Sequence, residues 1–278
     1  MAVPANLNGR IAIVTGGGRG LGRAMATGLA GAGATVVIAD IDGAAASETA
    51  FAISNAGGRA QAVTCDITVA ADCARAVAAA QALGGLHILV NNAGMGPGHV
   101  EASPNTKSLK FWEADAEIWQ RVIAVNVNGT FLMSRTAAPM MLAGGWGRIV
   151  NVTTSLSTMQ RAANSPYGVS KTAIEAETMI WAQDLAGSGV TVNSLIPGGA
   201  ADTGFVSLRS RASILASGRK LIDPAIMAAP LLWLVSSEAD GVTGKRFVAN
   251  RWNESLPPAD AAKAALEAPV LRAPELAE

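Results

Sequence analysis

The chain has 278 residues, of which 50% are hydrophobic and 15% charged, a balance that buries a sizeable core and excludes a largely disordered polypeptide. Lys plus Arg equals Asp plus Glu at 21 each, so net charge offers no general attraction to nucleic acid or to an anionic membrane. Two cysteines, Cys65 and Cys73, are too few for a disulfide scaffold. The opening run Met1 to Arg10 has no basic start followed by an apolar core, and no stretch is a charge-free span of membrane length. The expectation is a cytoplasmic, unexported chain.

Along the chain, short apolar runs alternate with longer Ala-rich helical stretches. Candidate strands are Ile11 to Thr15, Thr35 to Ala39, Ala60 to Thr64, His87 to Asn91, Arg148 to Val152, Thr191 to Leu195 and Arg246 to Ala249. Candidate helices are Gly20 to Gly31, Ala44 to Asn55, Val69 to Leu83, Ala114 to Leu142, Pro166 to Ala186 and Pro224 to Ser236. Repeated βαβ units of this kind predict an α/β fold, a doubly wound parallel sheet of about seven strands with helices on both faces. No linker interrupts them, so Met1 to about Ser255 reads as one domain. Pro257 and Pro258 then start an Ala-rich tail, 256–278, for which a helix, a docked segment and a mobile one all stay open.

The first strand runs into Thr15-Gly16-Gly17-Gly18-Arg19-Gly20-Leu21-Gly22, which opens the first helix. Glycines there allow a tight turn and close approach of backbone amides to phosphate oxygens at a helix N-terminus. Asp40 ends the second strand, where a dinucleotide fold places the carboxylate that bonds the adenosine ribose. A carboxylate there repels a 2′-phosphate, which favours NAD(H), whereas Arg19 would welcome one and favour NADP(H). The plainer alternative for Asp40 is a turn or cap acid ahead of Asp42-Gly43.

Tyr167 and Lys171 lie four apart in Ser165-Pro166-Tyr167-Gly168-Val169-Ser170-Lys171. Pro166 suits a first helical turn, and residues four apart share a helix face, so phenol and ammonium are neighbours. A nearby cation lowers a phenol's pKa toward a range useful for proton transfer. A lone pair of this spacing is also what an ordinary helix surface carries, so the assignment depends on its company.

That company is the glycine string, Asn91-Asn92-Ala93-Gly94, Asn126 in Asn126-Val127-Asn128-Gly129, and Pro197-Gly198 after the sixth strand. With these motifs in this order, from about Arg10 to Gly244, the chain resembles the short-chain dehydrogenase/reductase family. The resemblance implies a Rossmann-type fold and an NAD(P)-dependent oxidoreductase that interconverts a secondary alcohol and a ketone. Its catalytic set would be Asn126, Thr154, Tyr167 and Lys171, with Thr154 at the family's usual Ser position. Thr retains the hydroxyl but adds a methyl. Ser155 is the competing candidate, although on an extended segment its side chain points to the opposite face.

The same comparison implies cofactor contacts from Gly16, Arg19, Gly20, Leu21, Gly22, Asp40, Asp66, Ile67, Asn91, Ala93, Gly94, Tyr167, Lys171, Pro197, Gly198 and Thr203. Asp66 also reads as a helix cap, and the Asn pair as turn residues. Thr203 stands one residue later than the family's usual carboxamide-binding Thr. The lid would lie at 203–223, where Arg209, Arg211, Arg219 and Lys220 either face an acidic substrate or form a solvated face. His99 sits in a long insertion after Gly94, but no spaced ligand cluster accompanies it, so no metal is expected.

The last strand lacks the family's Asp-Gly-Gly ending. Trp252 just beyond it lines a pocket across a subunit interface or packs at the core's edge. Val169, Ala173 and Ile180 mark one apolar face of the Tyr167 helix, and Ile174, Trp181 and Leu185 another. A core face plus a contact face suits a homotetramer or homodimer. The remaining partner is a small-molecule alcohol or ketone. Thr at the Ser position and the altered C-terminus motivate one alternative, a non-catalytic dinucleotide-binding sensor or scaffold.

Overall fold

Val- and Ile-rich runs favour extended backbone and bury well on both faces, which is what the centre of a parallel sheet demands. In the computed structural model, which describes residues 6–96, 110–206 and 208–271, these runs become β1 (Ile11–Thr15), β2 (Thr35–Asp40), β3 (Arg59–Thr64), β4 (Ile88–Asn91), β5 (Gly147–Val152), β6 (Val190–Ile196) and β7 (Arg246–Val248). His99 and the rest of 97–109, with the Arg209 side chain, lie outside the described residues.

The intervening helices are α1 (Gly20–Gly31), α2 (Gly43–Asn55), α3 (Ala70–Ala82), α4 (Ala116–Ile123), α5 (Thr130–Ala143), α6 (Leu156–Met159), α7 (Tyr167–Asp184), α8 (Leu208–Ala216), α9 (Ala228–Leu234) and α10 (Pro258–Ala265). A short strand, β8 (Leu266–Glu267), completes the sheet, whose order is β3-β2-β1-β4-β5-β6-β7-β8, so the chain reverses direction across the sheet between β1 and β4. A crevice forms at such a switch point, beyond the carboxyl ends of the strands. Helices pack on both faces. Buried side chains such as Val14, Ile38, Val90 and Leu195 form the core on one face, and Ile13, Val37, Leu89 and Val192 the core on the other. Each such side chain contributes roughly 1.5–3 kcal/mol on burial.

Two features differ from expectation, and a third, the tail, is fixed among its alternatives as far as Leu271. The single helix anticipated from Ala114 to Leu142 is two helices joined by a π-helical turn, Ala124–Gly129. The weak helix formers Val125, Asn126, Val127, Asn128 and Gly129 occupy that turn. The tail is docked: Pro258 opens α10, whose Ala261, Ala262 and Ala265 are buried. The chain then forms β8 (Leu266–Glu267), antiparallel to β7, so the sheet has eight strands rather than about seven. An antiparallel edge on a parallel sheet is a familiar termination.

Trp252 packs at the core's edge, its ring 6.2 Å from that of Trp233. On α7, Ile174 is 2% exposed whereas Val169 and Ile180 are 52% and 54% exposed, so one apolar face meets the core and the other meets solvent. Among the described residues no helix is long and apolar enough to cross a membrane.

Candidate active site

The turn between β1 and α1 is built by backbone approach. Gly16 has φ +60, and a Cβ on Gly22 would come within 2.1 Å of the Gly16 carbonyl oxygen, so only glycine closes this turn. Arg19 stands at the N-cap of α1 without a side-chain capping bond, which leaves the first-turn amides of Gly20, Leu21 and Gly22 to the crevice. Leu21 turns its side chain to the core.

A latch that sequence reasoning did not assign holds the turn. Thr15 Oγ1 accepts the amides of Asn92 at 3.0 Å and Ala93 at 3.1 Å, and the Asn92 side chain donates to the carbonyls of Thr15 and Gly16 at 3.0 Å each. The signal for it was the Asn-Asn-Ala-Gly run, in which Asn92 rather than Asn91 faces the turn. The Asn91 amide instead donates to Ser134 and Asn151 within the protein.

At the end of β2, Asp40 accepts the Gly18 amide at 2.9 Å and the Asp42 amide at 3.0 Å. Arg19 is ion-paired with Asp42. Asp66 accepts both the amide and the hydroxyl of Thr68, and Ile67 packs where a Cβ on Gly129 would stand. Thr203 lies against the start of α1, since a Cβ on Gly20 would be 2.8 Å from its methyl. Pro197 and Gly198 are held by Asn250, whose side chain donates to the Gly198 carbonyl at 2.9 Å and whose amide donates to Pro197 at 3.2 Å. Asn250 stands in the segment where the family ending is absent, and sequence reasoning did not assign it.

In the segment 203–223, Arg211 pairs with Asp202, while Arg219 and Lys220 are exposed. Phe205 covers the phenol ring of Tyr167, centroid to centroid 5.9 Å.

Asn126, Thr154, Tyr167 and Lys171 come together beyond the ends of β4 and β5. The Asn126 carboxamide accepts the Met95 amide at 2.7 Å and donates to the Met95 carbonyl at 3.0 Å and to Ser170 at 2.9 Å. A Cβ on Gly94 would stand 3.0 Å from Asn126 Oδ1 and 3.7 Å from Lys171 Nζ, so Gly94 fits between them. Lys171 Nζ donates to the Val152 carbonyl at 2.9 Å and lies 6.0 Å from the centre of the Tyr167 ring.

The Thr154 hydroxyl faces the Tyr167 phenol and favours its ionised form. Ser155 turns away and bonds Ser157 at 3.1 Å and Thr158 at 2.9 Å. Burial pushes the Tyr167 phenol up to about 12, opposed by the Thr154 hydroxyl. Burial also pushes the Lys171 ammonium down to about 8, opposed by the Glu175 carboxylate. The expected lowering of the phenol by Lys171 is absent: on a side chain 7% exposed, desolvation dominates and only Thr154 opposes it.

The arrangement fits a nicotinamide dinucleotide on its own evidence. The glycine turn presents bare backbone at an uncapped helix start, a carboxylate ends β2, and a phenol, a hydroxyl and an ammonium converge farther along the same crevice. Comparison with known proteins points the same way. A family model described as short chain dehydrogenase matches residues 10–212. A 2,5-dichloro-2,5-cyclohexadiene-1,4-diol dehydrogenase of Sphingobium indicum is 35% identical over 245 residues, covering 86% of this chain and 93% of that one.

Among solved structures, a 3-ketoacyl-(acyl-carrier-protein) reductase from Brucella melitensis complexed with NADH is 33% identical. It superimposes with a TM-score of 0.75 over 86% of this chain and 96% of that one. A putative NAD(P) dependent gluconate 5-dehydrogenase from Beutenbergia cavernae with bound NADP is 32% identical, with a TM-score of 0.78 over 89% and 97%. With motifs, sheet order and matched length in agreement, the chain belongs to the short-chain dehydrogenase/reductase family.

Proposed function

We propose that this oxidoreductase interconverts a secondary alcohol and a ketone, with NAD(H) preferred over NADP(H) and Tyr167 as the acid/base. The observation that carries the reading is the buried Tyr167 phenol with the Thr154 hydroxyl facing it and the buried Lys171 one helical turn on, its Nζ 6.0 Å from the centre of the phenol ring.

When bound, the dinucleotide supplies a hydride acceptor in oxidation and a hydride donor in reduction. The first-turn amides beside Gly16, Arg19, Gly20, Leu21 and Gly22 would hold its pyrophosphate, Asp40 its ribose, and Asp66 and Ile67 its adenine. The backbone from Asn91 through Ala93 to Gly94, with Pro197, Gly198 and Thr203, would frame its other end, and Lys171 would bind the second ribose.

In oxidation Tyr167 accepts the alcohol proton, and in reduction it returns one to the carbonyl oxygen. Thr154 donates to or accepts from that same oxygen and fixes its position. Lys171 brings positive charge beside the phenol, and the nearer it comes, the more it favours the ionised form. Asn126, anchored on Met95 and Ser170, positions a water that links Lys171 to solvent. The preference for NAD(H) rests on Asp40 held at the crevice and on Arg19, whose charge is engaged by Asp42. Exposed Val169 and Ile180 on α7 support contact with a second copy of the chain, as a homotetramer or homodimer in the cytoplasm.

A screen of cyclic, aromatic and aliphatic secondary alcohols with NAD tests the reading. Reduction of NAD by one class is the expected result. A chain that binds NAD yet reduces none of it with any alcohol is a sensor or scaffold, not this enzyme.

A further inference from the structure

The buried charges behind Thr154 have no part in the chemistry above. Arg246, on β7, is 2% exposed and Glu175, on α7, is 5% exposed. The guanidinium donates to the Glu175 carboxylate and, through its other terminal nitrogen, to the Thr154 carbonyl at 2.8 Å. Its Nε donates to Glu267 at 2.8 Å, and the Thr153 hydroxyl donates to the same Glu175 oxygen that Arg246 holds. Glu267 lies opposite Arg246 in the β7–β8 pairing, and its other oxygen accepts from Arg251 at 2.7 Å. Two cations thus meet two carboxylates.

Tyr167, Lys171 and Glu175 follow one another at four-residue intervals on one face of α7. Three successive residues from the last of β5 onward meet that face: the Val152 carbonyl takes Lys171, the Thr153 hydroxyl takes Glu175, and the Thr154 hydroxyl faces Tyr167. Arg246 binds the second and third of these residues from behind. A planar guanidinium with five donors in a fixed fork spans such a set, whereas an ammonium does not. A buried ion pair adds little net stability compared with apolar packing, so its value here is geometric.

We propose that Arg246 is a positioning residue, which holds the Thr154 backbone and Glu175 so that the Thr154 hydroxyl stays on Tyr167, and that Glu267 of the C-terminal strand holds Arg246 in turn. The inference rests on the reading of Thr154 and Tyr167 given above. It extends the active site's support to the segment after Pro257, which otherwise looks like an appendage.

The test is Arg246→Lys and Glu267→Gln in the full chain. Arg246→Lys keeps a charge opposite Glu175 but not the span to the Thr154 carbonyl, and its kcat falls about tenfold, the effect of one charge-assisted bond. Its NAD affinity and its KM for NAD stay within about twofold of the parent's. Glu267→Gln lowers kcat about threefold with the same constancy in NAD binding, and it decides the matter alone if Arg246→Lys does not fold.

Unchanged kcat in the folded variants, or a loss of kcat matched by an equal loss of NAD affinity, overturns the proposal. A readout without substrate separates it from the functional reading. The Thr154 hydroxyl lowers the phenol's pKa. Variants with a displaced Thr154 therefore show a smaller tyrosinate fraction than the parent at about pH 11, and an equal fraction overturns the clamp even if no alcohol is ever turned over.

Discussion

Lys171 Nζ donates to the backbone carbonyl of Val152 at 2.9 Å, which ties the first turns of α7 to the end of β5. Two residues beyond Val152 stands Thr154, whose hydroxyl meets Tyr167. One ammonium therefore holds the strand end that delivers the hydroxyl, while lying on the same helix face as the phenol. Because Tyr167 and Lys171 are buried, their protonation states are set by desolvation more than by their neighbours.

The hydroxyl is the first point to test. Thr154→Ser keeps the donor and acceptor and retains kcat within about threefold, whereas Thr154→Val keeps the shape and loses about a hundredfold. Ser155→Ala, whose hydroxyl is engaged by Ser157 and Thr158, changes kcat by less than about twofold. Steady-state kinetics with the best alcohol from the screen decide the pair. A damaging Ser155→Ala beside a harmless Thr154→Val would reverse the assignment.

Cofactor choice turns on Asp40. The parent chain favours NAD over NADP by at least about tenfold in kcat/KM. Asp40→Asn keeps an acceptor for the Gly18 amide but removes the charge that repels a 2′-phosphate, so the ratio moves toward NADP. A parent that prefers NADP would mean that Arg19 prevails despite Asp42.

Protonation gives a prediction in alkaline solution. Tyr167 is the chain's one tyrosine, so its ionisation is read directly from tyrosinate absorbance, with a midpoint near 12 in the folded protein. Its folded pKa lies above the ordinary value of 10, so the unfolded chain loses this proton first. Stability from this group is complete below pH 10 and is lost as pH rises to about 12, a change of about 3 kcal/mol.

Lys171 acts oppositely: depressed from 10.5 to about 8, it makes stability rise with pH across that interval. Unfolding free energies of the parent and Tyr167→Phe, compared from pH 8 to 12, should diverge only above about pH 10. A Tyr167 midpoint near 10 would mean that the phenol is not desolvated.

The parallel sheet was legible because several central strands are buried on both faces and carry unbroken apolar runs, as in Ile11 to Val14 or Val36 to Ala39. Leu266–Glu267 carries no such run; it is a strand only because Arg246 and Phe247 lie beside it. The π turn around Asn126 was hidden in a continuous helical pattern, since inserting one residue per turn shifts the register without changing composition.

At the site, residue types announced the glycine turn and Tyr167 with Lys171. Alternation along an extended segment favoured Thr154 over Ser155, and in the structure Thr154 faces Tyr167 whereas Ser155 bonds Ser157 and Thr158. What composition and spacing did not carry was long-range pairing. Asn92 on Thr15 spans 77 residues, Asn250 on Gly198 spans 52, and Arg246 on Thr154 spans 92. Such bonds are fixed by the strand order and not by local pattern.

The central claim is that the Tyr167 hydroxyl moves the substrate proton. Tyr167→Phe removes that one oxygen, and titration of the variant with NAD alongside its turnover of the preferred alcohol separates binding from chemistry. NAD affinity within about twofold of the parent with turnover reduced at least about a hundredfold is the expected result. Turnover at the parent's rate would contradict it.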